Sequence, residues 1–302
     1  MGGRVTQLMF IDRTLQDLQR QFNRVFEFEQ QLATGFRVSR PSDDPIDARR
    51  AVNIKLEIAQ LNQFLNNITD ARPQVDDTES TVDNTSSVLQ RVRELTVQGS
   101  NGTNSQEQLD AIATEINQLL EETLVLSNSQ SIGRYLFAGT RTKTIPFSET
   151  RVGGEITAVA YQGNTVDINV AISESAQIKV NIDGQAAFQS GIDIFTTLIG
   201  IRDDLRAGNQ ASLSGVRIDE VDQAIEQLLL RQADLGANTN RLDRVVSVTE
   251  DGVLSQQILL SEKIETDFAD ATLRYNNSLN ALQAALNASA RVLQPTLLDF
   301  IR

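Results

Sequence analysis

The acidic side chains are the residues of this chain best suited to chemistry, because the sequence contains no Cys and no His. That absence removes thiol nucleophiles, Ser-His-Asp triads and Cys/His metal sites. Paired carboxylates remain in Asp76-Asp77 and Glu121-Glu122, but neither pair belongs to a recognisable catalytic motif. Both pairs are better explained as solvated faces of helices. We therefore expect a protein that is not an enzyme and that holds no cofactor and no metal.

The charge and length of the chain limit its partners. The 302 residues carry a formal net charge of −13, which disfavours binding to nucleic acid or to an anionic membrane. No apolar run is long enough to span a bilayer, so membrane insertion is not expected. The length suffices for two or more structural units.

Each end of the chain carries an apolar stripe with the spacing of a coiled-coil helix. The amino-terminal stripe is interrupted only by Glu29 and consists of Leu8, Ile11, Leu15, Leu18, Phe22, Val25 and Leu32. The carboxyl-terminal stripe has a stutter after Tyr275 and runs through Ile264, Phe268, Ala271, Tyr275, Leu279, Leu282, Leu286, Ser289 and Leu293. A lone helix of this kind is marginal. We expect each stripe to order against the other stripe, against a neighbouring subunit, or against both.

Capping signals set the boundaries of the first two helices. The first helix is predicted over residues 6–32, with Gly35 as the residue that ends it. A polar loop follows over residues 37–44. Asp44 then has the side chain of an N-cap, and Pro45 suits the first position of the second helix.

The second helix is predicted to run towards Gly99, with a proline inside it. Pro73 is expected to kink or interrupt the helix, because it lacks a backbone N–H. Ser105 and Gln108 have the spacing of a capping box, which predicts a third helix immediately afterwards.

The apolar period changes around Gly139 from that of a helix to two. Alternating apolar residues predict half-buried strands at 166–172 and 178–182, and Gly163-Asn164 fits a hairpin turn before the first of them. Helical spacing returns at Ile194. It then runs almost continuously into the carboxyl-terminal stripe.

These patterns predict a mainly α protein, with long antiparallel helical hairpin and coiled-coil arms from both termini and a small β-rich inserted domain at the tip. The expected terminal coiled-coil region comprises residues 1–44 and 262–302, which would be the inner, assembling part. The expected long-helix core comprises residues 45–140 and 191–261. Residues 141–190 would form a β-rich outer domain.

Several stretches resemble signature sequences of the bacterial flagellins. Residues 89–98 (Leu-Gln-Arg-Val-Arg-Glu-Leu-Thr-Val-Gln) and 101–105 (Asn-Gly-Thr-Asn-Ser) resemble an amino-terminal signature, and residues 236–242 resemble a carboxyl-terminal one. Residues 40–45 (Arg-Pro-Ser-Asp-Asp-Pro) and 135–140 (Tyr-Leu-Phe-Ala-Gly-Thr) resemble the hook-associated branch of that family more than its filament flagellins.

The resemblance implies a structural subunit of the bacterial flagellum. The subunit would form a junction ring between hook-associated protein 1 and the flagellin filament. Its implied partners are like subunits in the ring, hook-associated protein 1, flagellin, and a flagellar export chaperone for the carboxyl-terminal region. It would be secreted by the type III apparatus to the hook–filament junction. The alternative is a flagellin that polymerises into the filament itself.

The expected subunit interface combines the two apolar stripes with positions elsewhere in the chain. It includes all seven apolar residues of the amino-terminal stripe defined above. From the carboxyl-terminal stripe it includes Phe268, Tyr275, Leu279, Leu282, Leu286 and Leu293. The other expected positions are Arg40, Asp43, Asp44, Arg91 and Leu95. A simpler explanation for Asp43 and Asp44 is that they only cap the loop and the following helix.

Overall fold

The computed structural model describes residues 7–293. The predicted mainly α fold class is confirmed, because helices make up most of that span. A π-helical turn is also present at Leu213–Arg217. The helices are α1 (Gln7–Thr34), α2 (Pro45–Gly99), α3 (Gln106–Ser127), α4 (Gly184–Phe188), α5 (Ile194–Arg206), α6 (Gln210–Ser212), α7 (Ile218–Ile264) and α8 (Phe268–Leu293).

The strands of the described chain form three separate two-stranded antiparallel sheets. They pair in chain order, β1 (Gln130–Ser131) with β2 (Arg134–Tyr135), β3 (Phe147–Val152) with β4 (Glu155–Tyr161), and β5 (Asn169–Ala171) with β6 (Gln177–Lys179).

The longest hairpin does not turn where the sequence predicted. Its turn is Gly153-Gly154, and both glycines have positive φ, at 64° and 92°. Glycine adopts such angles without the steric cost that a Cβ brings. Gly163-Asn164 follows β4 and begins no strand, so the predicted turn there was wrong. The Asn164 side chain instead accepts a hydrogen bond from the Thr140 backbone N–H at 2.9 Å.

The predicted helix boundaries are largely confirmed. Gly35 follows α1 with φ of 75°, and the Ser105–Gln108 capping box is present in full. Pro73 does not interrupt α2, which continues through it, so that alternative was wrong, and a kink at Pro73 stays a prediction. Pro73 is exposed, so water can reach the carbonyl group that loses its helical hydrogen-bond donor. The final helical stretch is also broken, since residues 265–267 separate α7 from α8.

The chain divides into two compact units. The first unit contains the residues up to 60 and those from 253 onward, and the second contains residues 61–252. The second unit has one large apolar core that includes side chains from the long helices and from the strands, such as Leu120, Phe147 and Ile178. The predicted three-part division, with 141–190 as a separate outer domain, stays a prediction.

Within the second unit, α2 and α7 run antiparallel. Three polar contacts connect them, and the numbering falls along α7 as it rises along α2. Arg72 pairs with Asp243, Gln232 donates to Asp83 at 3.3 Å, and the Arg93 Nε atom lies 2.5 Å from the Asp222 carboxylate. These side chains lie at the edges of the helix pair, whereas apolar side chains fill its core.

Arg202 is a buried cation in the second unit, with 3% of its surface exposed. Its Nη1 atom donates to the Asn117 side chain at 3.0 Å and to the Ile156 carbonyl oxygen at 2.8 Å. Its Nε atom lies 2.9 Å from the Asp203 carboxylate. The side chain therefore links α3, β4 and α5 through hydrogen bonds that water cannot easily replace.

Candidate assembly surfaces

The terminal helices α1 and α8 pack against each other as an antiparallel pair. The backbone joins the end of α1 to the start of α8, because Thr266 N donates to Gly35 O at 2.9 Å and Arg37 N donates to Ile264 O at 2.8 Å. Phe36 and Glu265 also form an antiparallel β-bridge. The two predicted stripes thus meet within one chain, which was one of the arrangements left open by the sequence.

The face of α1 that is buried in this pair follows a regular heptad. Leu18, Val25 and Leu32 recur every seven residues, and all three are buried or half-buried within the chain, while their place at a subunit interface stays a prediction. Thr14, Gln21 and Phe28 supply the other column of the heptad. Two of these three are polar, so the seam between α1 and α8 is only partly apolar.

The remaining apolar side of α1 is exposed. Leu15 and Phe22 are predicted stripe residues, yet Phe22 has 61% of its surface exposed, and Leu15 is similarly exposed. Phe26, one helical turn after Phe22, is also exposed and was not predicted. The side chains of Leu8 and Ile11 lie outside the described residues. Leu15, Phe22 and Phe26 are therefore available to another chain.

The face of α8 that packs on α1 is built mainly from small side chains. Its buried and half-buried positions include an unbroken heptad, so the seam needs no stutter after Tyr275, and Leu279 beside this heptad is half-buried as well. The heptad positions include Ala271, Tyr275, Ser278, Leu282, Ala285 and Ser289. Small residues let two helices approach closely but bury little apolar surface.

Several large apolar residues of α8 are left outside this seam. Phe268, Leu273 and Leu286 each expose more than half of their surface, and Leu279 is half-buried. Leu273 was not predicted, because it lies outside the heptad positions. The side chain of Leu293 lies outside the described residues. α8 thus resembles α1 in keeping large apolar side chains for contacts beyond the pair.

The loop between α1 and α2 is organised by its two carboxylates. The Asp43 carboxylate accepts hydrogen bonds from the backbone N–H groups of Arg40 at 2.8 Å and Ser39 at 3.2 Å. The Asp44 carboxylate caps α2, accepting from the N–H groups of Asp47 and Ile46 at 3.0 Å each. These bonds lower the pKa of both aspartates, with the Arg40 N–H the largest cause for Asp43 and the Asp47 N–H for Asp44. Both residues act as caps, and a contact with a neighbouring subunit stays a prediction.

The two predicted positions in the second half of α2 differ in environment. Arg91 is exposed, and its guanidinium is paired within the chain to Glu115 and Glu94, each at 2.8 Å. Those hydrogen bonds raise its pKa, with the bond to Glu94 the largest cause. Leu95 is only 2% exposed and belongs to the core of the second unit. Its side chain has no surface left for a neighbour, so its placement at a subunit interface is corrected.

Other kinds of site were also sought within residues 7–293. In that part of the chain no helix is long and apolar enough to cross a membrane. The described side chains include no cluster of three acidic groups arranged to hold a metal ion. The exposed apolar faces of α1 and α8 are surfaces that contact with a partner would stabilise.

Comparisons with known proteins agree with the resemblance seen in the sequence. The family described as the bacterial flagellin N-terminal helical region matches residues 5–142. Flagellar hook-associated protein 3 of Escherichia coli (strain K12) is 28% identical over 286 residues, which cover 87% of this chain and 88% of that protein. Its counterpart in Salmonella typhimurium is 26% identical over 299 residues, 93% of this chain and 94% of that one. Flagellin FlaB1 of Treponema pallidum is 24% identical over 297 residues, 97% of each chain.

Solved structures show the same fold. The crystal structure of Bacillus cereus FlgL matches with a TM-score of 0.58 at 25% identity, covering 69% of this chain and 99% of that one. Hook-associated protein 3 from Legionella pneumophila matches with a TM-score of 0.62 at 18% identity, covering 69% and 97%. Residues 5–142 are thus similar to the amino-terminal helical region of the bacterial flagellins. Over most of its length the chain is similar to flagellar hook-associated protein 3.

Proposed function

We propose that this chain is a structural subunit of the bacterial flagellum that forms the junction ring between hook-associated protein 1 and the flagellin filament. The observation that carries the proposal is the exposed apolar side of the α1–α8 pair, with Phe22, Phe26 and Leu273 among its members. Such a surface is unfavourable in water and is stabilised by a neighbouring subunit. Flagellar hook-associated protein 3 of Escherichia coli, at 28% identity, is more similar to the chain than flagellin FlaB1 of Treponema pallidum, at 24%, which supports this role over that of a filament flagellin.

The proposed mechanism of assembly follows from the unequal faces of the terminal helices. Each α1–α8 pair forms within one chain, and its free apolar faces then pack against the pairs of neighbouring subunits. A subunit between two different structures must present one surface to the hook side and another to the filament side. Such contacts are heterologous and need no two-fold symmetry.

The proposal includes the route by which the subunit reaches its place. It is exported by the flagellar type III apparatus, with a cytoplasmic chaperone that binds the carboxyl-terminal region beforehand. The chaperone would cover the same large apolar side chains of α8, such as Phe268 and Leu286, that later contact neighbouring subunits. The role is mechanical and involves no catalytic step.

Localisation on intact flagella tests the proposal. Gold-labelled antibodies against the chain are applied to flagella of the source bacterium, and a strain lacking the gene serves as the control. We expect label in a single band between hook and filament. Label along the whole filament would assign the chain to the filament flagellins and overturn the proposed junction role.

A further inference from the structure

The first unit contains an apolar pocket beside the loop between α1 and α2. The pocket has a volume of about 330 Å³. Val38, Ala51 and Ile264 form a small buried cluster at its wall, and the exposed Val52 also lines it. Such a volume accommodates a few apolar side chains rather than a whole helix.

The rim of this pocket is positively charged. Arg40, Arg49 and Lys55 line it, all three are exposed, and none of them forms an ion pair with a carboxylate of the described chain. The nearby Arg37 differs, since its guanidinium lies 2.7 Å from the Asp47 carboxylate. Three unpaired cations around one apolar pocket are unexpected in a chain with a net charge of −13. They favour an occupant that is both apolar and acidic.

We propose that this pocket binds residues 297–301 of a second copy of the chain, which we call the tail segment. Its sequence is Leu-Leu-Asp-Phe-Ile, four apolar residues around one carboxylate, Asp299. The apolar side chains enter the pocket, and the Asp299 carboxylate pairs with the cations of the rim. The tail segment lies outside the described residues. The inference rests on the proposed assembly of like subunits and names one contact within it.

The length of α8 excludes binding of the tail segment to the pocket of its own chain. From Phe268 to Leu293 the helix rises by about 38 Å, at about 1.5 Å per residue. The pocket lies at the Phe268 end of the helix, because Ile264 lines it. Seven residues lead from Leu293 to Phe300, and fully extended they reach back at most about 24 Å. The segment therefore falls short of its own pocket and reaches that of a neighbour.

The proposed contact is head-to-tail. It joins the end of α8 in one copy to the loop and start of α2 in the next, so the two surfaces are different. It leaves the exposed apolar faces of α1 and α8 available for side-by-side contacts. Pro41 of the loop and Pro45 at the start of α2 also line the pocket, so both prolines would take part in this contact.

Chemical cross-linking of the full-length chain tests the contact. The sequence has no Cys, so single introduced cysteines react alone. A tagged V52C chain is mixed with an untagged F300C chain and treated with a short bis-maleimide cross-linker. We expect a mixed dimer. V152C provides the matched control, since Val152 is a similarly exposed valine in the second unit, and it should give no mixed dimer with F300C.

Charge reversal then tests the recognition. D299K in the F300C chain should lower the yield of mixed dimer about tenfold, which corresponds to about 1.4 kcal/mol. K55E in the V52C chain should restore part of the yield with the D299K partner. Equal cross-linking to V52C and V152C, or a yield unchanged by D299K, would overturn the proposal. So would a fast intramolecular cross-link in a dilute V52C/F300C double variant.

The outcome can be separated from that of the proposed function. If cross-linking fails while the antibody label of the wild-type chain stays at the junction, only the tail contact is refuted. If the label lies along the filament while cross-linking succeeds, the head-to-tail contact stands and the junction role does not.

Discussion

Replacing Phe22 should weaken assembly and leave the folded chain nearly as stable as before. Complete burial of a Phe side chain contributes about 1.5–3 kcal/mol. Phe22 still exposes 61% of its surface, so a neighbouring subunit can add about 1–2 kcal/mol at this position. The variant F22S should therefore lower the association constant by about 5- to 30-fold per contact. Its melting temperature should change little, because the side chain contributes little to the α1–α8 pair.

Two neighbouring substitutions serve as controls for F22S. V25A removes apolar volume from the buried face, since Val25 is 7% exposed, and should lower the free energy of unfolding by about 2 kcal/mol where the pair unfolds cooperatively. N23S changes an exposed polar residue and should alter neither property. Association is measured by sedimentation velocity over a range of protein concentrations, and in vivo by the amount of subunit incorporated into purified flagella. Unchanged association for F22S, or a loss of stability equal to that of V25A, would refute the assignment of the free face.

Three further substitutions test local features of the fold. D44A should lower the melting temperature, whereas D44N retains the cap. Because folding lowers the pKa of Asp44, the stabilising effect of its carboxylate is present above the unfolded pKa of about 3.9 and is lost as the pH falls through the folded pKa. Thermal melts between pH 2 and 7 follow this loss. R202M should reduce the free energy of unfolding by about 2–4 kcal/mol in urea titrations, because it removes the donor to the Asn117 side chain and to the Ile156 carbonyl oxygen. A change below about 1 kcal/mol would contradict the role of Arg202 in linking α3, β4 and α5. G139A should destabilise the protein more than G153A in the same titrations. Both glycines have positive φ, but a Cβ at Gly139 would lie 2.1 Å from the Asn164 carbonyl oxygen, whereas a Cβ at Gly153 would meet no other atom within 4 Å. Equal effects would mean that backbone strain alone sets the cost of both substitutions.

The sequence predicted which helices carry apolar stripes at the two ends of the chain but not which side of each faces inward. On α1, the predicted heptad and the observed one share Leu18, Val25 and Leu32 and differ in the other column. The apolar stripe of α1 is wider than the seam that one partner helix can cover. A pattern of apolar residues cannot tell which part of a wide stripe meets its own chain, because both parts are equally apolar.

The difference on α8 has a related cause. A search for large apolar residues passes from Tyr275 to Leu279 and so infers a stutter. The structure instead continues through Ser278 and Ala285, because small side chains allow the close approach of α1. Predictions of helix ends were more reliable, because a single residue is enough to indicate a cap. The positive φ of Gly35 and the cap at Asp44 were both predicted, since each depends on a few neighbouring backbone groups.

The division of residues between the two faces bears on how the subunit assembles. The seam within the chain contains Thr14, Gln21 and several Ala and Ser side chains, so it buries modest apolar area. The larger side chains, such as Phe22 and Phe268, lie outside it and gain their burial only from neighbours. The terminal helices should therefore separate from each other at low cost, which suits the proposed passage through an export channel. In the proposed assembly, neighbouring subunits cover the free faces of α1 and α8 and so stabilise the two helices further.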